Sequence, residues 1–315
     1  MNSWMKQLFI FCSINLISFV ALAQDIPNPS CGQIVHLEKF ASNYVTSRNV
    51  DIWLPPSYDG SQSYDVLYMH DGQMLFDSTI TWNKQSWKVD ENLCLMHYNT
   101  IVVGIWNAGS ERHMDYFPQK PFENMSVLEQ ELISAQLSDA GRSKGQFKPN
   151  SDNYLKFIVN ELKPYIDSTY NVNTKTVSTF IAGSSMGGLI SLYAICEYPE
   201  VFGGAACLST HWPGTFTVEN NPFPEAMQNY LKKNLPSPKK HKIYFDFGDQ
   251  TLDALYPPFQ KKVDKIMKRR HYKKGKSWLT QYFPGDDHSE KSWAKRLYVP
   301  FNYFFQKEFF VLISD

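Results

Sequence analysis

A serine set among glycines is the residue whose surroundings point most directly to chemistry. Gly183-Ser184-Ser185-Met186-Gly187 follows a short β-branched and apolar run, and an apolar run with helical spacing comes after it. A serine at such a strand-to-helix corner lies in a strained turn that exposes its hydroxyl, and the glycines leave room for neighbouring backbone. The helix N-terminus behind it also favours developing negative charge. We therefore predict Ser185, rather than the neighbouring Ser184, as a nucleophile.

The predicted nucleophile needs a general base, because a serine hydroxyl attacks poorly at neutral pH. His288 lies in the polar stretch 285–289, directly after the last strand-like run, where the base belongs if the chain order is serine, acid, histidine. The other histidines downstream of the serine fit less well. His211 comes too early, and His241 and His271 lie in lysine-rich segments. We predict His288 as the general base.

The base needs an acid that orients it, and two aspartates are placed to serve. Asp249 and Asp253 both follow the strand-like run 243–247, in the loop where the acid of this chain order belongs. Asp246 lies within the run itself, so we expect it to be structural. The spacing of these residues leaves the choice between Asp249 and Asp253 open. Asp287, beside the histidine, is the next alternative.

The carbonyl oxygen of an attacked ester needs two backbone N–H donors, which form an oxyanion hole. One donor should be Met186, the residue after the nucleophile. The other should come from the loop after an early strand, here His70-Asp71-Gly72-Gln73. Glycine in that loop lets backbone approach a substrate, so Gly72 or Gln73 is the expected second donor.

Aromatic and polar residues cluster in the loops after the early strands, at the edge of a sheet where such sites open. The cluster also contains Trp87 and Tyr116, and we predict as substrate-pocket residues Trp82, Trp106, Asn107 and Arg112. Each of them could alternatively serve only in packing. A metal site built from Asp249, Asp253, Asp287 and His288 matches no familiar ligand spacing. We predict neither a metal nor an organic cofactor.

Strand-like and helix-like runs alternate along the chain. The strand-like runs are 50–54, 66–69, 101–106, 177–182, 202–208, 243–247 and 279–283, and the helix-like runs are 154–166, 189–196, 259–267 and 293–305. This alternation predicts an α/β fold, with a mostly parallel central sheet covered by helices on both faces. We expect a single domain over residues 24–315. The weakly patterned stretch 117–150 is expected to be a surface insertion or a flap beside the active site.

Residues 1–23 have the pattern of a signal peptide, with an apolar run followed by small residues before a cleavage point. The apolar run is shorter than a typical membrane span. We therefore predict a secreted or periplasmic protein that has no membrane segment after cleavage.

Cleavage would leave Cys31, Cys94, Cys196 and Cys207. Cys94 and Cys196 lie among apolar residues, as buried free thiols do, and no disulfide is expected to be essential. Lys plus Arg equals Asp plus Glu, 31 each, which disfavours nucleic acid as a partner.

The chain resembles the putative-esterase family of α/β hydrolases, which groups enterochelin esterases, feruloyl and acetyl xylan esterases, S-formylglutathione hydrolase and mycolyltransferases. The resemblance spans roughly residues 50–305, and it rests on four motifs: 67–73, 102–107, 183–188 and 287–290. In members with a similar strand end the Leu-Asp-Ala element recurs, here 252–254, so the resemblance favours Asp253 as the acid. The chain departs from the family spacing of glycine and acid, since Thr251 stands at the acid's usual place.

The resemblance implies a serine carboxylic-ester hydrolase that acts through an acyl-enzyme, and the predicted signal peptide implies that it is secreted. Secretion and the aromatic loops favour acyl or feruloyl esters of carbohydrate, either small molecules or polysaccharide. A siderophore esterase, an acyltransferase to a sugar hydroxyl and a binding protein on the same scaffold are the alternatives. The presence of a serine, an acid and a histidine in this order argues against the binding protein. The sequence does not indicate an oligomeric state.

Overall fold

The computed structural model describes residues 26–306, so the predicted signal peptide lies outside the described residues. Eight strands form one sheet. They are β1 (Gln33–Phe40), β2 (Arg48–Leu54), β3 (Asp65–His70), β4 (Thr100–Ile105), β5 (Thr179–Ser184), β6 (Gly204–Leu208), β7 (Lys242–Phe247) and β8 (Trp278–Tyr282). Within the described range, no helix is both long enough and apolar enough to cross a membrane.

Eleven α-helices accompany these strands in the described part of the chain. They are α1 (Val89–Met96), α2 (Arg112–Tyr116), α3 (Gln119–Glu123), α4 (Val127–Asp139), α5 (Ser151–Lys156), α6 (Lys163–Thr169), α7 (Met186–Glu197), α8 (Phe223–Asn234), α9 (Pro257–Arg269), α10 (Glu290–Arg296) and α11 (Tyr298–Phe305). A π-helical segment joins α5 to α6, and short 3-10 turns occur at Gly72–Met74, Gly109–Glu111, Thr176–Ser178 and Thr251–Leu255.

The sheet runs in the order β1-β2-β4-β3-β5-β6-β7-β8. The pairs β1–β2 and β2–β4 are antiparallel, and all the other pairs are parallel. The carboxyl ends of β3 to β8 therefore meet at one edge, where an active site of this fold opens. The predicted mostly parallel sheet is confirmed.

Both faces of the sheet are covered, and alternate residues of a strand enter different cores. Val66 and Tyr68 of β3 belong to one apolar cluster, whereas Leu67 and Met69 belong to the other. The first cluster includes side chains from α5, α7, α8 and α9, and the second includes side chains from α1, α10 and α11. Strands buried on both sides read as nearly continuous apolar runs, which is why their positions were predictable.

The edge strand β1 was not predicted. Its sequence, QIVHLEKF, mixes charged and apolar residues, and none of its side chains is fully buried. It pairs only with β2 within the described sheet. An edge strand that has little burial leaves little apolar pattern in the sequence.

The stretch 117–150 is held by the core at several points rather than lying loosely on the surface. Phe117, Phe122 and Phe147 are buried with Ile133 and Leu137 of α4 in the first apolar cluster. A capping box formed by Ser126 and Glu129 begins α4. Much of this stretch is therefore part of the fold.

Cys31 and Cys94 form a disulfide, which corrects the expectation that Cys94 is a free thiol. The bond joins the segment before β1 to α1. Apolar residues surround buried disulfides and buried free thiols alike, so the sequence could not distinguish a bonded Cys94 from a free one. Cys196 and Cys207 are free and buried, as expected of Cys196.

Removing the disulfide should lower stability, because the bond closes a loop between residues 63 apart in the chain. The double variant C31A/C94A is expected to lose about 4 kcal/mol of unfolding free energy in the chain-entropy account of cross-links. Urea unfolding without reductant measures the difference. As a control, a reducing agent should bring the wild type towards the variant and leave the variant unchanged. Equal unfolding free energies under oxidising conditions would contradict a structural role for the bond.

Candidate active site

Ser185 occupies the tight corner between β5 and α7. Its backbone has φ 57° and ψ −120°, a strained conformation for a residue other than glycine. Its N–H donates to the carbonyl of Leu208, which fixes the corner to β6. A Cβ at Gly183 would lie 2.6 Å from the backbone of Gly187, so this position requires glycine. The strained corner predicted from the sequence is therefore present.

His288 and Asp253 meet at the ends of the last two strands. Nδ1 of His288 lies 2.6 Å from Oδ1 of Asp253. The backbone N–H of His288 also donates to Oγ1 of Thr251, the residue that stands at the family's usual place for the acid. The loop between β7 and α9, which carries Asp253, is called the acid loop here, and the loop between β8 and α10, which carries His288, is called the base loop. A side-chain contact and a backbone contact thus join the two loops.

Asp249 lies in the same loop but faces another way. Its carboxylate accepts from the hydroxyl of Tyr282, from the N–H of Gly285 and from the amide of Gln250. Asp287 accepts from the hydroxyls of Ser289 and Ser292 near the start of α10. The structure therefore brings Asp253, and not these two aspartates, to the histidine.

Asp253 is fully buried, yet its surroundings favour the carboxylate. Burial raises the pKa of Asp253, but the bond to His288 and those from the hydroxyl of Ser209 and the N–H of Gly248 outweigh it and hold the pKa below its usual value. A carboxylate with several donors stays ionised even when it is buried. Asp253 is therefore able to orient an imidazole and to stabilise its positive charge.

A second histidine, His211, lies near the serine but is already occupied. One ring nitrogen bonds the hydroxyl of Tyr256 and the other bonds the carbonyl of Thr215. Burial, together with the nearby His288, lowers the pKa of His211 to about 3. His211 is therefore neutral and has no free nitrogen with which to act as a base.

Ser185 and His288 line the same cleft, whose volume is about 1000 Å³. Met186 and Gln73 also line it. Met186 is the first residue of α7, so its N–H has no acceptor within the helix. Gly72 is buried behind the cleft, where a Cβ would lie 2.5 Å from the backbone of Gly104. Of the two expected second donors, Gln73 is the one at the cleft surface.

The loop that carries Gln73 is clamped by an ion pair. Asp71 has a left-handed backbone with φ 59°. Its carboxylate accepts two bonds of 2.7 Å from the guanidinium of Arg112 and a third from the amide of Asn107. The N–H of Asn107 donates in turn to Oε1 of Gln73. Arg112 and Asn107 also line the cleft, so the same two side chains border it and brace the loop that carries the proposed donor.

The two predicted pocket tryptophans lie in different places. Trp82 lines the cleft and is 83% exposed. Trp106 does not line it, which corrects the prediction. Its indole is buried beneath the loop, packs edge-on against His36 and donates to the carboxylate of Asp51. Trp87, which belonged to the same sequence cluster, does line the cleft.

The cleft is also lined by residues that were not predicted as pocket residues. They are Met74, Asn83, Gln85, Gly109, Ser110, His113, Met114, Gly141, Arg142, Ser143, Lys144, Phe216, Leu252, Ser289, Glu290 and Trp293. One end of the stretch 117–150 thus borders the cleft. Residues 26–306 contain no cluster of three or more His, Cys, Asp and Glu side chains that could hold a metal ion.

A mostly parallel sheet with a serine at the β5–α7 corner and a His–Asp pair after later strands is the arrangement of an α/β hydrolase. The sequence profile of the family described as "Putative esterase" matches residues 42–304. The chain belongs to this family. The resemblance predicted from the sequence motifs is confirmed.

Individual relatives are more distant. The chain is 29% identical over 175 residues to the uncharacterized protein YbbA of Bacillus subtilis, an alignment that covers 55% of this chain and 59% of that protein. Its structure is similar to an IroE-like serine hydrolase from Shewanella oneidensis, with a TM-score of 0.59, 20% identity and coverage of 82% and 76%. It is also similar to a ferulic acid esterase from Anaeromyces mucronatus, with a TM-score of 0.56, 17% identity and coverage of 90% and 92%.

The geometry separates the two candidate acids in a way that kinetics can test. Asp253→Asn should keep the fold but favour the wrong imidazole tautomer, which lowers kcat on the order of 10⁴-fold by analogy with a serine protease. Asp249→Asn, the matched control in the same loop, should change kcat little. Both variants are compared on p-nitrophenyl acetate after circular dichroism has shown that they are folded. A crippled Asp249→Asn beside a nearly normal Asp253→Asn would reverse the assignment.

Proposed function

We propose that the protein is a secreted carboxylic-ester hydrolase that acts through an acyl-enzyme on Ser185, with His288 as its base and Asp253 as its acid. The observation that carries the proposal is the 2.6 Å contact between His288 and Asp253 beside a cleft that Ser185 also lines. The proposed reaction requires no metal and no organic cofactor, since the three side chains supply nucleophile, base and orienting acid.

In this mechanism His288 removes the proton of the Ser185 hydroxyl as Oγ bonds to the ester carbonyl carbon. The N–H groups of Met186 and Gln73 stabilise the resulting oxyanion. The intermediate then collapses, the bond to the alcohol oxygen breaks, and the imidazolium gives its proton to the leaving alcohol. Water then attacks the acyl carbon of the acyl-enzyme, with His288 as base. The bond from that carbon to Oγ of Ser185 breaks, Oγ takes the proton from the imidazolium, and the carboxylic acid product leaves. Asp253 remains a carboxylate throughout and stabilises the imidazolium.

We propose an acyl or feruloyl ester of a carbohydrate as the substrate. The cleft is large enough for an aromatic acyl group together with part of a sugar, and apolar and amide side chains are mixed along its walls. Trp82 presents an indole at the cleft with most of its surface free. An exposed ring of this kind can stack on the apolar face of a sugar. One of the structural relatives described above is a ferulic acid esterase, which supports the same choice.

Secretion is part of the proposal. The apolar leader of residues 1–23 is its main support. The disulfide between Cys31 and Cys94 also supports it, because such bonds persist mainly in oxidising compartments.

The acyl-enzyme proposal predicts where a covalent inhibitor binds. A fluorophosphonate should form a stable adduct on the peptide that contains Ser185, because the strained corner exposes its hydroxyl and His288 can remove its proton. Peptide mass spectrometry locates the adduct. Ser185→Ala should abolish both labelling and hydrolysis, whereas Ser184→Ala, the adjacent control, should retain labelling. An adduct on Ser184, or an active enzyme that is not labelled at all, would refute the proposed nucleophile.

The carbohydrate proposal predicts an effect of Trp82 that depends on the substrate. Trp82→Ala should raise KM for acetylated or feruloylated xylan roughly 10-fold, about what loss of one stacking contact gives. It should leave p-nitrophenyl acetate hydrolysis unchanged, because that ester has no sugar to stack. Tyr298→Ala removes a half-exposed ring outside the cleft and serves as the control. If neither acetylated nor feruloylated xylan is hydrolysed while a siderophore ester is, the substrate assignment is wrong but the serine mechanism stands.

A further inference from the structure

A single buried arginine lies behind the acid–base pair. Arg296, in the last turn of α10, has a side chain that is only 1% exposed. Its guanidinium lies 2.9 Å from Asp246, 3.3 Å from Asp286 and 3.6 Å from Asp253. These carboxylates come from β7, from the base loop and from the acid loop respectively. Arg296 therefore contacts all the segments that hold the pair in place.

The hydroxyl of Ser209 joins Arg296 to the acid. Ser209 follows β6 and is itself fully buried. Its hydroxyl donates to Oδ2 of Asp253 at 2.6 Å and accepts from Arg296 at 2.7 Å and from the indole of Trp293 at 3.0 Å. The same indole lies edge-on to the ring of His288, with 5.0 Å between centroids. A continuous chain of contacts thus runs from Arg296 to the imidazole.

The charges around Arg296 are unbalanced. The one guanidinium serves the three buried carboxylates. Among residues 26–306, the other lysine or arginine side chain in contact with them is Lys295, whose exposed ammonium lies 3.1 Å from Asp286. His288 adds a positive charge beside Asp253 only when it is protonated. Buried carboxylates that lack a cation become expensive to keep ionised. Burial raises the pKa of Asp246, and Arg296 opposes that rise. Loss of the guanidinium would therefore weaken the ionisation of the whole cluster.

The guanidinium also fixes the base loop. It lies 5.1 Å from the centroid of the Phe283 ring, which follows β8 directly. The carbonyl of Asp286 accepts the N–H groups of Asp249 and Gln250, so the base loop and the acid loop touch along their backbones. A Cβ at Gly248 would lie 2.0 Å from that carbonyl, which shows how close the loops are. Arg296 contacts Asp253 of one loop and Asp286 of the other, and so it links the two loops.

We propose that Arg296, acting through Ser209 and Asp286, is the positioning residue that holds Asp253 ionised and within hydrogen-bonding distance of His288. This role rests on the proposed function of the triad. Arg296 touches neither substrate nor the reacting atoms, so it affects turnover only through the acid and the base. Its loss should lower kcat and leave KM nearly unchanged.

The proposal also predicts a change in the pH profile. The groups that face Asp253 are His288, Arg296, Asp246 and Tyr256, with the hydroxyl of Ser209. The guanidinium lies 3.6 Å from Asp253, and its positive charge opposes proton uptake by the pair of Asp253 and His288. Without that charge the pair takes up a proton at a higher pH. The acid limb of kcat should therefore move to higher pH. A residue that only supports the fold would not move this limb.

The experiment compares Arg296→Met, Arg296→Lys and Ser209→Ala on p-nitrophenyl acetate across pH, beside Ser185→Ala. Arg296→Met is expected to lose roughly 10- to 100-fold in kcat, as when a partner behind a functional histidine is removed. Compared with Arg296→Met, Arg296→Lys should recover part of kcat and return the acid limb part of the way to its wild-type pH. Lysine restores the positive charge but not the planar set of N–H donors of a guanidinium. Proton NMR should show the hydrogen-bonded Nδ1 proton of His288 in the wild type and its loss or shift in Arg296→Met.

A second buried ion pair provides the control. Arg48 lies 2.9 Å from Asp115, and both side chains are 1% exposed. Arg48→Lys should lower the unfolding free energy as Arg296→Lys does, while its acid limb stays in place. If Arg296→Met does not fold, Ser209→Ala and Arg296→Lys decide the matter. Folded variants at Arg296 and Ser209 with a normal kcat, acid limb and His288 resonance would overturn the proposal. Hydrolysis that survives in Ser185→Ala would instead overturn the proposed function.

Discussion

The contact between Asp253 and His288 is the interaction on which the site depends, and it is made between loops rather than within a rigid element. Asp253 lies in a 3-10 turn after β7, and His288 lies just before α10. Adjacent parallel strands bring the two loops to the same edge of the sheet, but strand pairing alone does not set a hydrogen-bond distance. The backbone bonds from the acid loop to Asp286 and the buried guanidinium of Arg296 supply that remaining precision.

The site also depends on strain that the surrounding packing maintains. The left-handed conformations of Ser185 and Asp71 are unfavourable for residues with a side chain, by roughly 1–3 kcal/mol each. The bond from Ser185 to β6 and the clamp of Arg112 on Asp71 offset this strain. The proposed nucleophile and the loop with the proposed oxyanion donor are thus fixed before substrate binds, which is the arrangement that stabilises a developing oxyanion most effectively.

The buried strands and the strained corner at Ser185 could be predicted because both leave strong local patterns: continuous apolar runs and glycines beside a serine. Chain order led to His288. The choice between Asp249 and Asp253 was different, because both residues follow the same strand and only the course of the 3-10 turn directs one of them inward. The half-exposed β1, the disulfide partner of Cys31 and the burial of Trp106 depend on tertiary packing. Arg296 gave no signal, since its partners lie 10 to 87 residues away in the chain.

The walls of the cleft and the proposed catalytic side chains come largely from separate stretches of the polypeptide. The walls come largely from the connections after β3 and β4, between residues 71 and 144, whereas Ser185, Asp253 and His288 come after β5, β7 and β8. Insertions or substitutions in the earlier connections that leave Gln73 and its clamp in place can therefore reshape the walls without moving Ser185, Asp253 or His288. This division makes the scaffold evolvable: new substrate ranges can arise from changes in the walls, while the Gln73 loop and the later part of the chain retain the reactive groups.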